Sequence, residues 1–234
     1  MGTLVSYRLK DSVATITMDD GKVNAISVQM LTELGAALDR AAADSAIVLL
    51  EGREGVFSAG FDLKALAAGG EGALAMVRGG FELAARLLSF PTPVVAACTG
   101  HAVAMGAFLL LSADYRVGAA GPYRLVANEV AMGITMPYAA VEILRQRLTP
   151  ACFTRAVLLA EPFSPDDGVA AGFLDRVAEP ARVSDVARET AEALTALNMR
   201  AHAATKARAR RQTLEAMRAG IAEEFGPGAS WPPA

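Results

Sequence analysis

The period of hydrophobic and polar positions changes several times along the chain, and each change marks an element. Val5, Tyr7 and Leu9 alternate with Ser6, Arg8 and Lys10, and alternation resumes from Val13 to Met18 after Asp11-Ser12. A period of two with a polar break predicts a β-hairpin, followed by a turn at Asp19-Asp20-Gly21. Met30, Leu31, Leu34, Leu38 and Ala41 then recur at helical spacing behind Ser27, a residue suited to the N-cap. Ala46-Ile47-Val48-Leu49-Leu50 is short, β-branched and closed by Gly52, which predicts a buried strand. Its loop, Val56 to Leu63, contains Gly60, where the backbone can turn tightly. Gly69-Gly70-Glu71-Gly72 predicts a flexible link, and Ala73 to Leu88 a helix that stops before Phe90-Pro91. Pro93 to Gly100, then His101 to Gly106, then Ala107 to Leu111 read as strand, glycine-bounded turn and helix.

Beyond these units, Asp114 to Val117 predicts a short strand, Leu125 to Ile134 a strand-like start with a turn at Gly133, and Pro137 to Leu148 a helix. Thr149-Pro150 and Ser164-Pro165 each place a capping residue before a proline at the first helical position. Gly172 closes the second of these helices, and Leu174 to Val177 is the last predicted strand. From Pro180 only helical spacing remains, over Arg182 to Leu197 and about Met199 to Ala222. Gly226-Pro227-Gly228 and Trp231-Pro232-Pro233 predict an irregular tail. Strands and helices in alternation, then helices alone, predict an α/β core over 1–179 and a helical appendage over 180–234.

Composition changes this picture in few places. Apolar residues make up 53% of the 234 and charged residues 20%, enough for a sizeable core and too apolar for disorder. The net charge of −3 gives no general pull toward nucleic acid. The first residues already alternate, so no leader is expected. The most apolar stretch, Ala102 to Ala113, is shorter than the roughly 20 residues of a spanning helix. No membrane partner and a cytoplasmic location are expected. Cys98 and Cys152, with no CxxC and no His at metal spacing, fit two buried thiols in a reducing compartment.

Candidate chemistry is sparse. Two strand-loop units, each offering a backbone N–H, can build an oxyanion hole. Acid-base work needs a carboxylate held out of bulk water, and Glu129 has apolar neighbours that place it either in a dry pocket or on the wet face of a strand. Spacing alone favours the wet face. Asp62 and Asp114 follow apolar turns and read as caps before ligands. His101, beside Gly100, reads as structural. No GxSxG elbow, P-loop, GxGxxG or metal-spaced cluster is present. Arg200, His202, Lys206, Arg208, Arg210 and Arg211 form a basic run that reads as a solvated helix face. The sharper alternative is that Lys206 meets a ligand phosphate.

Four segments, in order and spacing, resemble the crotonase family, the enoyl-CoA hydratase/isomerase superfamily. Phe57-Ser58-Ala59-Gly60-Phe61-Asp62-Leu63 resembles its F-x-A-G-x-D-L segment. Pro91-x-Pro93-Val94-Val95-Ala96-Ala97 with Gly100 and Ala113-Asp114 resembles its second signature. Asn128-Glu129-x-x-x-Gly133 resembles P-E-x-x-x-G, and Ala204-Thr205-Lys206 the C-terminal A-x-K.

The resemblance implies a spiral of ββα units and a C-terminal helical region that builds a trimer or a dimer of trimers. It implies a CoA thioester substrate, with CoA belonging to the substrate and no separate cofactor or metal. The N–H groups of Phe61 and Met105 would hold the thioester oxygen. Ser58, Ala59, Gly60, Asp62, Leu63, Gly106 and Phe108 would surround the substrate, with Lys206 near the CoA phosphates. Hydratases of the family carry two glutamates; here the first position is Phe108 and only Glu129 remains. One carboxylate holds a water poorly for addition, but it can move a proton from C2 to C4. The resemblance therefore implies Δ3-Δ2 enoyl-CoA isomerisation first. Hydration of a 2-enoyl-CoA in fatty-acid β-oxidation, thioester hydrolysis, or acyl-CoA binding without catalysis are the alternatives.

Overall fold

The computed structural model describes residues 2–229, so Trp231-Pro232-Pro233 lies outside the described residues. The hairpin forms as predicted: β1 (Val5–Lys10) pairs antiparallel with β2 (Val13–Met18), Val5 opposite Met18. Helix α1 (Val28–Ala43) starts at Ser27, whose Oγ accepts the Met30 N–H at 3.2 Å. Met30, Leu34, Leu38 and Ala41 are buried, while Leu31 is half-buried against the same core.

Three ββα units follow. The first is β3 (Ile47–Glu51), β4 (Gly55–Ser58), a short α2 (Leu63–Ala68) and α3 (Gly70–Leu88). The second is β5 (Val94–Cys98), β6 (Gly100–Val103) and α4 (Met105–Leu111). The third is β7 (Tyr115–Ala119), β8 (Leu125–Val126), a 3-10 turn over Val130–Met132 and α5 (Tyr138–Arg145). The first strand of each unit joins a six-stranded sheet ordered β1-β2-β3-β5-β7-β9, and the second joins a three-stranded parallel sheet ordered β4-β6-β8. Helices α6 (Pro150–Leu159) and α7 (Pro165–Ala171) lead to β9 (Arg176–Ala178), and α8 (Val183–Leu194), α9 (Met199–Ala209) and α10 (Arg211–Phe225) end the described chain. Ser164 caps α7 through the Asp167 N–H, and Gly172 ends it at φ +103°.

Residues on the large sheet alternate between two cores, because successive strand side chains face opposite sides. Val48 and Leu50 of β3 join the main core with α1, α3, α4, α5 and α10. Ile47 and Leu49 face Val183, Val186, Ala187 and Ala191 of α8. Helix α8 is thus the second layer of the sheet, and the α/β layering runs past residue 179.

Four other expectations change. The glycine-rich link is helical from Gly70, with Gly69 and Gly70 at positive φ where α2 gives way to α3. The loops after β3 and β5 contain β4 and β6, strands of the second sheet. The helix expected over Met199 to Ala222 is two helices, broken at Arg210 (φ −100°, ψ 5°), whose guanidinium turns inward to Leu88 O and Asp114. Cys98 is buried, but Cys152 is only half-buried.

Candidate active site

The two glycine turns meet. Gly60 sits at φ +91°, and a Cβ there would stand 3.0 Å from both Ala104 Cβ and Val103 O. Ala104 itself has φ +49°, ψ −123°, a conformation rare outside glycine, just before the start of α4. Ile26 bridges Phe61 in parallel: its N–H reaches Gly60 O (2.8 Å) and its carbonyl accepts the Asp62 N–H (3.2 Å). That pattern turns the Phe61 N–H away from Ile26. Neither the Phe61 nor the Met105 N–H has an acceptor among the described residues.

Beneath this point, Ser58 Oγ donates to Asn24 O (2.7 Å) and accepts the Gly60 N–H (3.2 Å). Gly106 packs its backbone directly on Ser58. Ser58 and Gly106 are therefore buried supports of the turn and do not line the pocket. Asp62 caps α2, its Oδ1 accepting the Lys64 N–H at 2.8 Å and the Ala65 N–H at 3.3 Å.

A pocket of about 280 Å³ opens beside the turn. Ala59, Phe61, Leu63, Ala104 and Phe108 all line it, together with Glu129. Among the described residues, Asn128 and Glu129 are its only polar lining side chains. The Phe61 ring fits because residue 80 is glycine: a Cβ there would lie 2.5 Å from Phe61 Cζ. Phe108 is 1% exposed and stacks on Phe81 at 5.9 Å.

Glu129 is buried at 9% exposure, which overturns the wet-face reading. The 3-10 turn Val130–Met132 holds it, with Glu129 O accepting from Met132 N (2.9 Å) and Ile134 N (2.9 Å) and Gly133 closing at φ +75°. Its Oε2 has no hydrogen-bond partner among the described residues. Burial disfavours the charged form and pushes the carboxyl up to about 7, with its own backbone N–H only partly offsetting this. A carboxyl that half-ionises near neutrality, in an apolar pocket beside two free N–H groups, is suited to moving a proton next to a carbonyl.

The family profile described as Enoyl-CoA hydratase/isomerase matches residues 8–226. The chain belongs to the enoyl-CoA hydratase/isomerase family. It is thus an enzyme of the crotonase superfamily, with the crotonase fold. It is similar to an enoyl-CoA isomerase of Mycobacterium tuberculosis, with 51% identity over 97% of this chain and 100% of that one, TM-score 0.93. An enoyl-CoA hydratase from Mycobacterium marinum is 49% identical, over 96% and 99% of the two chains, TM-score 0.92. The human mitochondrial enoyl-CoA delta isomerase 1 is 30% identical over 86% of this chain and 68% of its own length. Relatives named as isomerases and relatives named as hydratases are thus both similar to this family member.

Lys206 does not line the Glu129 pocket. Lys206 is 7% exposed, and its Nζ donates to Asp114 Oδ2 (2.6 Å) and Thr92 O (3.3 Å). Burial pulls its ammonium down to about 8 despite Asp114. Asp114 also binds Arg210 (2.9 Å) and accepts the Val94 N–H (2.8 Å), so it is an ion-pair hub and not a cap. Lys206 lines a surface depression formed by α9 and Asp114, separate from the pocket that holds Glu129. The basic run is solvated at Arg200, Arg208 and Arg211 but buried or half-buried at the other three. His101 is structural as read, its Nδ1 accepting the Arg124 N–H (3.1 Å). Asp114→Asn leaves two inward cations without their shared counter-charge, and the expected loss is about 3–5 kcal/mol of folding stability. Urea unfolding of the two proteins checks it; an unchanged midpoint would mean that the cations have another partner.

Among the described residues, no group of three metal-ligating side chains is present and no helix is long and apolar enough to cross a membrane.

Proposed function

We propose that the protein is a Δ3-Δ2 enoyl-CoA isomerase. The observation that carries this reading is a single carboxylate, Glu129, in a pocket otherwise apolar but for Asn128, with Phe108 where a second carboxylate would be needed to hold water. The thioester oxygen accepts from the Phe61 and Met105 N–H groups. The Glu129 carboxylate removes a proton from C2 of the 3-enoyl group. The C–H electron pair moves into conjugation, giving a dienolate whose charge on oxygen the two N–H groups stabilise. The Glu129 carboxylic acid then returns the proton to C4, and the double bond ends between C2 and C3. Nothing is added or lost, and one residue serves as base and then acid. A carboxyl near 7 is matched to both roles at neutral pH. The apolar walls keep out the water that would otherwise add to the product.

The test is one assay on purified protein, with a 3-enoyl-CoA and a 2-enoyl-CoA supplied separately and products read by mass. The 3-enoyl-CoA is expected to give a conjugated product of unchanged mass, and the 2-enoyl-CoA to gain no water. Hydration of the 2-enoyl-CoA at a comparable rate would replace isomerase with hydratase. Release of free CoA thiol would point to hydrolysis.

A further inference from the structure

The pocket has a direction. Of its lining residues, Leu63 and Met132 are 62% and 53% exposed and mark a solvent side, while Val77, Phe81 and Phe108 are each 1% exposed and mark a buried side. CoA is far too large for 280 Å³, so under the reading above the acyl group points inward and its tail ends on the phenylalanines. That floor is braced from behind. Phe81 stacks with Phe108 (5.9 Å, 28° between planes) and with Phe225 (5.8 Å, 7°), and meets Phe61 edge-on (6.4 Å, 71°). Phe225 does not line the pocket. It is the last residue of α10, a helix anchored in the core by Leu214, Met217 and Ile221. A ring in contact with both Phe108 and Phe225 cannot tilt aside without loosening those contacts.

We propose that the Phe108–Phe81–Phe225 stack is the end stop for the acyl chain, and that Phe225 sets the longest chain accepted by fixing Phe81. Apart from Asn128 and Glu129 the lining is apolar, so the ligand class is an uncharged acyl group that ends at Phe81. Phe108 and Phe81 meet the tail, and Phe225 is a positioning residue.

The proposal rests on the acyl-CoA reading, so its test uses binding of unreactive ligands. Saturated acyl-CoAs from butanoyl to hexadecanoyl are titrated calorimetrically into the parent, Phe225→Ala and the milder Phe225→Leu. In the parent, affinity is expected to rise about fourfold per methylene until the tail reaches the stop, then level off. In Phe225→Ala the break should move to chains longer by about two methylenes or more, with short-chain affinity within a few-fold of the parent. Phe225→Leu should move it less, and serves if the alanine variant does not fold. A break that stays in place in a folded variant, or an affinity that never levels off, overturns the proposal. If the break moves while no 3-enoyl-CoA is isomerised, the stop stands and the isomerase reading falls. If no acyl-CoA binds, both fall.

Discussion

Glu129→Gln is expected to lower kcat for 3-enoyl-CoA isomerisation by about 10²–10⁴-fold, the usual worth of a positioned general base, while making the folded protein more stable at pH 8. Both effects share one cause. The carboxylate is buried, and its Oε2 has no partner among the described residues. Ionising it therefore costs folding free energy. Its ordinary value is 4.5 and burial raises it to about 7. A raised acid favours the fold below about pH 4.5, where both states are protonated, and that stability is lost as pH climbs to about 7. Above pH 7 the full penalty applies, roughly 3 kcal/mol. Glutamine cannot ionise and escapes it. The parent should therefore unfold at lower urea at pH 8 than at pH 5, and Glu129→Gln should show a much smaller difference. The parent's kcat/KM should rise with pH around 7 as the base deprotonates. A variant that kept full activity would remove Glu129 from the chemistry. A parent with no pH-dependent loss would mean that another group or a water pairs the carboxylate.

Gly60→Ala should cost about 10²–10³ in kcat, the range for losing one oxyanion donor, with a smaller change in KM. Alanine is strained at φ +91°, and its methyl would press on Ala104 Cβ and Val103 O at 3.0 Å. Those atoms belong to the loop that presents Met105 N–H, and Phe61 N–H is the next peptide along. One methyl thus moves both donors. A suitable control is Gly21→Ala, since Gly21 also has positive φ (+74°) but no atom within 4 Å of the added methyl. It should carry the backbone strain without the kinetic loss. Equal losses in the two variants, or a loss confined to KM, would contradict the role given to the turn.

The features legible in the chain are those dictated by near neighbours. The hairpin, the Ser27 cap, the Ser164 and Gly172 ends of α7 and the Gly60 turn all follow from local period or local backbone chemistry. What was not legible depends on partners distant in sequence. Strands β4 and β6 are four residues each and open on Gly55 and Gly100, so they carry little alternation; they are strands because each supplies the other's ladder. Helix α2 buries no residue, and only its Asp62 cap announces it. Glu129 reads as solvated because most glutamates are, and its neighbours Val130 and Met132 are indeed 43% and 53% exposed. The walls that dry it come from Phe61, Phe81 and Phe108. Lys206 looked like part of a wet basic face, and Asp114, near the start of β7, draws it inward.

The brace behind Phe81 has a consequence for the order in which the enzyme becomes competent. Both glycine turns, the Glu129 turn and the rings of Phe81 and Phe108 precede α10 in the chain, and Phe225 is that helix's final residue. As the chain leaves the ribosome, every reacting group is delivered before the wall that limits the substrate. Because α10 also brings Leu214, Met217 and Ile221 to the main core, the wall behind Phe81 closes only when this late-made helix docks, and the pocket takes its final shape after all its lining residues have been synthesised.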